Sequence, residues 1–375
     1  MLGINILSDK LFLKKLLEYL MRILIVTGRY PPLKCGIGFY TRELSKSLSL
    51  TGKHVSVLST FSSREPKNIQ GVELLHGVKN WNFLSIFTVN KIIKKWKPDV
   101  IHVQFPTHAF FESISYSLIP ILGFCLGKKI VMTWHESFSL SNFFKFFLLS
   151  VVPSKIIVVR PNYKNLLPFY KFLASHKTFN FIPNASTLPR VNLSITKKKL
   201  LKKKYILGKN RLIIYFGFIY PHKGVENILQ IANPKTDQII IAADLDPKND
   251  YHRSLKYLIK SKWSDNISLI NYMPENDLAA LLNVADAIIL PFRDGGGAWN
   301  TSIHAAVSSR SFLLTTSTDA SGFNEDLNTY HSSIDNINEM RDALNKYSGT
   351  KNLIDTLPDS WAEISKKHIQ AYDKN

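Results

Sequence analysis

Three short segments hold residues whose types and spacing suit chemistry on an anionic ligand. The first is Gly28-Arg29-Tyr30-Pro31-Pro32-Leu33-Lys34-Cys35-Gly36-Ile37-Gly38, which runs into a helical pattern at Phe39, Tyr40, Leu44 and Leu48. Glycines let the backbone approach a ligand, and amides at a helix start attract anions. The spacing departs from the G-x-G-x-x-G of dinucleotide folds, so a structural turn and a binding loop both fit. The second is Phe216-Gly217-Phe218-Ile219-Tyr220-Pro221-His222-Lys223-Gly224-Val225-Glu226. A strand, a short loop and a lysine at a helix mouth suit a phosphate, although a surface lysine fits the same pattern. The third is Leu290-Pro291-Phe292-Arg293-Asp294-Gly295-Gly296-Gly297-Ala298-Trp299-Asn300-Thr301-Ser302. Here a strand enters a flexible glycine loop, and Thr301 and Ser302 open a helix with hydroxyls available as caps. Consecutive glycines cost backbone entropy, which favours a functional loop over a linker. Asp244-Leu245-Asp246 also stands after a strand. Such a pair could carry a divalent cation to a diphosphate, but two turn-forming aspartates explain it as well.

The elements that must position these loops alternate regularly. Apolar runs at Ile23–Val26, Val55–Leu58, Val100–Val103, Ile130–Thr133 and Ile156–Val159 read as buried strands, with helical patterns at Phe87–Trp96 and Ser113–Phe124 between them. Phe181–Pro183 adds a short last strand. After a polar, lysine-rich break the alternation restarts at Leu212–Phe216, Gln238–Ala242, Ile267–Ile270, Ala287–Leu290 and Phe312–Leu314, with helices at Gly224–Ala232, Glu275–Ala285 and Ser302–Ser308. Alternation of this kind predicts two α/β domains, each a mainly parallel, doubly wound Rossmann-like sheet. Ligands in such sheets bind beyond the carboxyl ends of the strands, so two facing domains would line an inter-domain cleft with these loops. The expected division is an extension at 1–20, a first domain at 21–190, a basic linker at 191–210, a second domain at 211–350 and a C-terminal segment at 351–375.

Composition bounds what the loops can serve. At 375 residues and 45% hydrophobic, the chain can bury two cores and is not a disordered polypeptide. Two cysteines, Cys35 and Cys125, make neither a disulfide framework nor a structural zinc site, which fits a reducing compartment. The net charge is +20, and the first 190 residues contribute +17 of it from 25 Lys/Arg against 8 Asp/Glu. That asymmetry suggests an anionic partner for the first domain: a membrane surface, a lipid diphosphate or nucleic acid. No zinc-finger, RNA-recognition or stacking-aromatic motif supports nucleic acid. No stretch reaches the roughly 20 apolar residues of a membrane span. The first 20 residues carry Asp9, Lys10, Lys14, Lys15 and Glu18 where a secretory signal would be apolar. A cytosolic location, or one at the inner face of a membrane, is the expectation. Ile4, Leu7, Leu11, Phe12, Leu16, Leu17 and Leu20 keep helical spacing. They suit a membrane-surface helix, or Met21 is the biological start.

Several motifs recur in one order. Pro31-Pro32-x-x-Cys35-Gly36-Ile37-Gly38-x-Tyr40-x-x-x-Leu44 is followed by Gly52-Lys53-His54-Val55, Asp99-Val100-Ile101-His102-Val103-Gln104, Thr133-Trp134-His135-Glu136 and Ile182-Pro183-Asn184. Then come Phe216-Gly217 with Lys223-Gly224-Val225-Glu226, and Ser360-Trp361-Ala362-Glu363-Ile364 with Tyr372. Together they resemble the nucleotide-sugar-dependent glycosyltransferases of the two-domain GT-B fold, specifically the retaining family four (glycosyl transferases group 1). The resemblance implies transfer of a sugar from a nucleoside-diphosphate sugar to an acceptor hydroxyl with retention, as in bacterial cell-surface polysaccharide or glycolipid synthesis. It implies Lys223, Thr301 and Ser302 on the diphosphate, with Gly217, Gly224, Gly295 and Gly296 shaping that site. Gly36, Ile37 and Gly38 would close from the other domain. His135 and Asp294 would hold sugar hydroxyls, and Arg29, His102, Gln104 and His108 would face a glycan or lipid-linked acceptor. The C-terminal helix would cross back to the first domain. No cofactor or metal is expected.

Two departures stand out. Many relatives place an arginine after the glycine of Phe216-Gly217, where this chain has Phe218. Many also carry two glutamates eight positions apart around the glycine loop. Here Asp294 is the only acid, and the second position falls on Ser302 or His304. A subset of the family shares this variant. A sugar-nucleotide epimerase of the same fold and an inactive scaffold are the alternatives.

Overall fold

The computed structural model describes residues 21–60, 68–106, 113–136, 143–167, 177–263, 266–352 and 360–373. His108 and the 1–20 extension lie outside them. The chain divides into two compact units, Met1–Asn184 with Asp359–Asn375, and Ala185–Pro358.

The first unit is built on strands β1 (Arg22–Val26), β2 (His54–Thr60), β3 (Asn68–Ile69), β4 (Val72–Val78), β5 (Val100–Phe105), β6 (Lys129–Trp134), β7 (Lys155–Val158) and β8 (Phe179–Phe181). Their order is β3-β4-β2-β1-β5-β6-β7-β8, parallel except for the β3–β4 pair. Ile23, Leu24, Ile25 and Val26 are all buried, as a strand covered on both faces requires. Each such side chain contributes about 1.5–3 kcal/mol by leaving water. Helices α1 (Gly36–Leu50), α2 (Ser85–Trp96), α3 (Ile119–Cys125) and α4 (Phe143–Val151) follow in chain order. The last three share one core with Leu24, Val26, Ile101 and Val103 on one sheet face.

The second unit opens with α5 (Ile195–Ile206), within the segment expected to be a linker. Ser194 caps it by accepting from the Lys197 amide, and Leu207 ends it in the left-handed conformation. Lysine is a good helix former, and Leu201, Tyr205 and Ile206 pack on the core, so a lysine-rich run folds rather than spans. The strands are β9 (Arg211–Phe216), β10 (Asp237–Ala242), β11 (Ile267–Ile270), β12 (Ala287–Leu290), β13 (Leu313–Thr316), β14 (Gly322–Asn324) and β15 (Thr329–Ser332). They lie in the order β11-β10-β9-β12-β13-β15-β14, parallel except at β14–β15. Around them pack α6 (Ile228–Ile231), α7 (Asp250–Trp263), α8 (Glu275–Val284), α9 (Thr301–Ser308) and α10 (Ile337–Tyr347). The helix expected at Gly224–Ala232 is instead a 3-10 turn at Val225–Asn227 followed by the single turn of α6.

Helix α11 (Trp361–Asp373) belongs to the first unit and packs on α1. The Ser47 hydroxyl lies 2.8 Å from the Trp361 carbonyl and 3.0 Å from Ser365 Oγ. No helix of the described residues is long and apolar enough to cross a membrane.

Candidate functional site

In each unit the chemistry-bearing residues collect at the carboxyl ends of adjacent parallel strands, where open α/β sheets bind ligands. In the first unit these strands are β1, β5 and β6. Helix α1 starts at Gly36 with Cys35 as an N-cap that makes no side-chain cap bond. The amides of Gly36, Ile37 and Gly38 find no acceptor among the described residues, as the first turn of an uncapped helix leaves them. Gly38 is fixed by crowding: a Cβ there would meet the Arg29 carbonyl oxygen at 2.7 Å. Arg29 itself is exposed beside this helix start.

His135 lies just past β6, its amide bonded to the Phe105 carbonyl at 2.8 Å. Its ring is buried against Tyr40 of α1, edge to face at 4.7 Å. Behind it runs a chain of hydrogen bonds. Nε2–H of His135 donates to Oε1 of Gln104 at 2.8 Å, and Nε2 of Gln104 donates to Nε2 of His102 at 3.2 Å. The Thr133 hydroxyl sits 2.7 Å from that same nitrogen, and Nδ1–H of His102 donates to the Tyr372 hydroxyl at 2.8 Å. A third ring completes the cluster: His368 donates from Nδ1 to the Ile364 carbonyl at 2.8 Å and accepts from Tyr40 Oη at 3.2 Å. Acceptors fix the tautomers, so the proton of His135 sits on Nε2 and Nδ1 keeps its lone pair.

Burial drives all three imidazoles toward the neutral form. It lowers His135 to about 3, with the neighbouring His368 adding to the effect. His368 falls to about 4 for the same reason, and His102 lies well below its ordinary value. His102 and Gln104 are fully buried, so they reach a ligand only through His135. His368 and Tyr372 were not read from the sequence as site residues. Their spacing of four on one helix, which puts both on one face, is the signal that finds them.

In the second unit the loops after the paired strands β9 and β12 are locked together. The Arg293 amide donates to the His222 carbonyl at 2.9 Å. Gly224 is left-handed, and a Cβ on it would collide with the Pro291 carbonyl oxygen. The Lys223 ammonium stands 4.5 Å from the centroid of the Phe292 ring. Glu226 joins the same assembly, taking a 2.6 Å ion pair from Arg293 and a hydrogen bond from Tyr251. Burial works against its carboxylate, but those bonds outweigh it and hold the group below its ordinary pKa. No regular helix of useful length follows Lys223, so its ammonium acts without the helix dipole expected from the sequence.

The glycine loop is packed rather than flexible. The amide of Gly295 donates to Phe292, that of Gly296 to Thr316 at 2.7 Å and that of Gly297 to Oδ1 of Asn300 at 3.0 Å. A Cβ on Gly296 would stand 2.6 Å from Ile303, 2.8 Å from Phe292 and 3.0 Å from Thr315. Those three glycine amides are therefore already paired, while the amides of Thr301 and Ser302 at the start of α9 find no acceptor among the described residues. Asn300, not a Thr301 or Ser302 hydroxyl, occupies the N-cap position. Asp294 is exposed and hydrogen-bonds to no described residue. His304 is turned back, Nε2 donating to the Ala298 carbonyl at 2.9 Å. Gly217 at the end of β9 is left open, with nothing within 4 Å of an added Cβ. Asp246 acts as a turn residue, accepting from the Lys248 amide at 2.9 Å, and Asp244 accepts from the Tyr272 amide past β11 at 3.0 Å.

Residues 35–175, which contain α1, the helices α2–α4 and His135, match the family described as Glycosyltransferase Family 4. The matched residues all fall within the first unit. The fold of the whole chain agrees with that match. Sucrose-phosphate synthase from Thermosynechococcus elongatus superposes with a TM-score of 0.69 at 12% identity over 94% of each chain. A glycosyltransferase from Rickettsia africae gives 0.68 at 16% identity, over 94% of this chain and 93% of that one. HepE from Anabaena in complex with UDP gives 0.65 at 14% identity, over 94% of this chain and 96% of its own. No curated protein sequence matches this chain. The chain thus has the GT-B fold, with two units each built on a mainly parallel sheet.

Proposed function

We propose that the chain transfers a sugar from a nucleoside-diphosphate sugar to the hydroxyl of a glycan or lipid-linked acceptor, with retention at the anomeric carbon. The reading rests above all on the locked pair of loops in the second unit. They gather the Lys223 ammonium, the amides of Thr301 and Ser302, which find no acceptor among the described residues, and the exposed Asp294 at neighbouring strand ends. The barrier in such a transfer lies in departure of the diphosphate, so fixed positive charge aimed at it is what a catalyst must supply. Lys223 and the start of α9 supply it, each worth on the order of a few kcal/mol. Asp294 holds a sugar hydroxyl. The amides of Gly36, Ile37 and Gly38 offer further donors to phosphate oxygens. His135 presents Nδ1 as a fixed acceptor for a sugar hydroxyl, with Gln104 and His102 holding its tautomer, and Arg29 lies on the acceptor side. HepE, which shares the fold, has been crystallised with UDP-glucose.

The carboxylates of the Asp-x-Asp segment are engaged by backbone amides, so the diphosphate is proposed to rely on Lys223 and α9 without a metal. The basic first unit suits work at the inner, anionic face of a bacterial membrane, in cell-surface polysaccharide or glycolipid synthesis.

A thermal-shift panel of UDP, GDP, ADP and CMP with their common sugars tests the donor site. One nucleotide should raise the wild-type melting temperature, by an amount that EDTA leaves unchanged, and Lys223→Ala should lose most of the shift. If no nucleotide stabilises the wild type even at saturating concentration, the proposal fails. Conversion of the donor without any acceptor would favour the epimerase.

A further inference from the structure

Helices α2, α3 and α4 lie side by side on one face of the first sheet, with Val89, Ile93, Ile119, Phe146 and Leu149 turned into its core. A surface helix ordinarily turns polar and charged side chains the other way. These do not. At the start of α2, Leu84 is 67% and Phe87 63% exposed, and the same row continues into Lys91 and Lys94. On α4 the outward row is Phe143, Phe144, Phe147 and Val151, with Phe144 57% exposed. Phe124, at the end of α3, lies 48% exposed between them in sequence. The three helices hold four lysines, Lys91, Lys94, Lys95 and Lys145, and no carboxylate.

We propose that this face seats on an anionic lipid bilayer, with the phenylalanines entering the acyl boundary and the lysines lying among the headgroup phosphates. Phenylalanine has no polar tip to satisfy at a wet protein interface, and an apolar patch rimmed by one sign of charge marks a contact with an opposite charge. A second copy of the chain does not fit, because two such faces would oppose lysine to lysine with no carboxylate to pair them. The inference rests on the proposed reading only for the membrane, which it assigns to a named surface. It is independent of sugar transfer.

The test is co-sedimentation of the full chain with phosphatidylcholine vesicles, with and without roughly one-third phosphatidylglycerol. The wild type should bind the anionic vesicles and lose binding in salt. Phe87→Ser with Phe144→Ser and Phe147→Ser should weaken binding at least tenfold. Lys91→Gln with Lys94→Gln and Lys95→Gln should weaken it on the order of a hundredfold, about fivefold per lysine. A charge-matched control on α5, Lys197→Gln with Lys199→Gln and Lys203→Gln, should stay within about twofold of the wild type. The proposal is overturned if the wild type ignores anionic vesicles, as it would if the face serves an acidic protein. It is overturned equally if the phenylalanine variant binds like the wild type, or if the α5 control loses as much as the α2 variant. Nucleotide-induced thermal shifts, read on the same samples, separate the two readings. A surface variant that loses vesicles and keeps the shift supports this one, and vesicle binding without any shift removes only the donor site.

Discussion

At the scale of single residues, the site in the second unit depends on what is missing as much as on what is present. Gly296 has no room for a methyl group, since Ile303, Phe292 and Thr315 already fill the space. Gly296→Ala should therefore cost about 1–3 kcal/mol of stability in the second unit by overpacking, measurable as a lowered denaturant midpoint. An unchanged midpoint would mean that the loop is as loose as its composition suggests. Composition did disclose the loop, because three adjacent glycines are costly unless used. It could not disclose the use. The acceptor for Gly296 is the Thr316 carbonyl on the next strand, and only the fold brings that atom near. Lys223 was legible for its place after a strand. Its pairing with the Phe292 ring was not, because cation–π contacts join residues with no fixed sequence spacing.

At the scale of elements, helix α11 completes the first unit's site from the far end of the chain. Tyr372 accepts the proton of His102 across 270 residues of sequence. Tyr372→Phe removes that acceptor and leaves a buried N–H unmatched, for about 1–3 kcal/mol. The loss should appear in the melting of the first unit, and it should shift donor affinity if His135 loses its fixed tautomer. A variant as stable as the wild type would show that the chain of bonds behind His135 is slack. The central strands were easy to read because parallel strands buried on both faces are continuous apolar runs, as in Ile23–Val26 and Ala287–Leu290. The strands next to the sheet edges were not. Val72–Val78 carries Glu73 and His76, and Thr329–Ser332 is mostly polar, so neither is a continuous apolar run; each lies just inside a short antiparallel edge strand.

At the scale of the whole molecule, the three buried histidines make stability depend on pH in a stated direction. Their folded pKa values are depressed, with His135 at about 3 and His368 at about 4. The unfolded chain therefore takes up protons first as the pH falls through about 6.5. Their contribution is full above that value and is lost as the pH drops toward the folded values, by up to about 1.4 kcal/mol per histidine per pH unit. Most carboxylates stay ionised down to about pH 5, so between about 7.5 and 5 the histidines dominate. Calorimetry should show the first unit's transition moving down over that range while the second unit's moves less. A first-unit transition that stays level would mean that the rings can be protonated in place.

Helix α11 also sets an order of events during synthesis. Domains ordinarily fold as they emerge, the first one first. Here the first unit leaves the ribosome early but lacks the partners of His102 and Tyr40 until Trp361–Asp373 has been made, after the whole of the second unit. The later-made unit can finish folding while the earlier one waits. A nascent chain stopped just before α11 would expose its Tyr40 and His102 face to protease, and release of the last helix would close it.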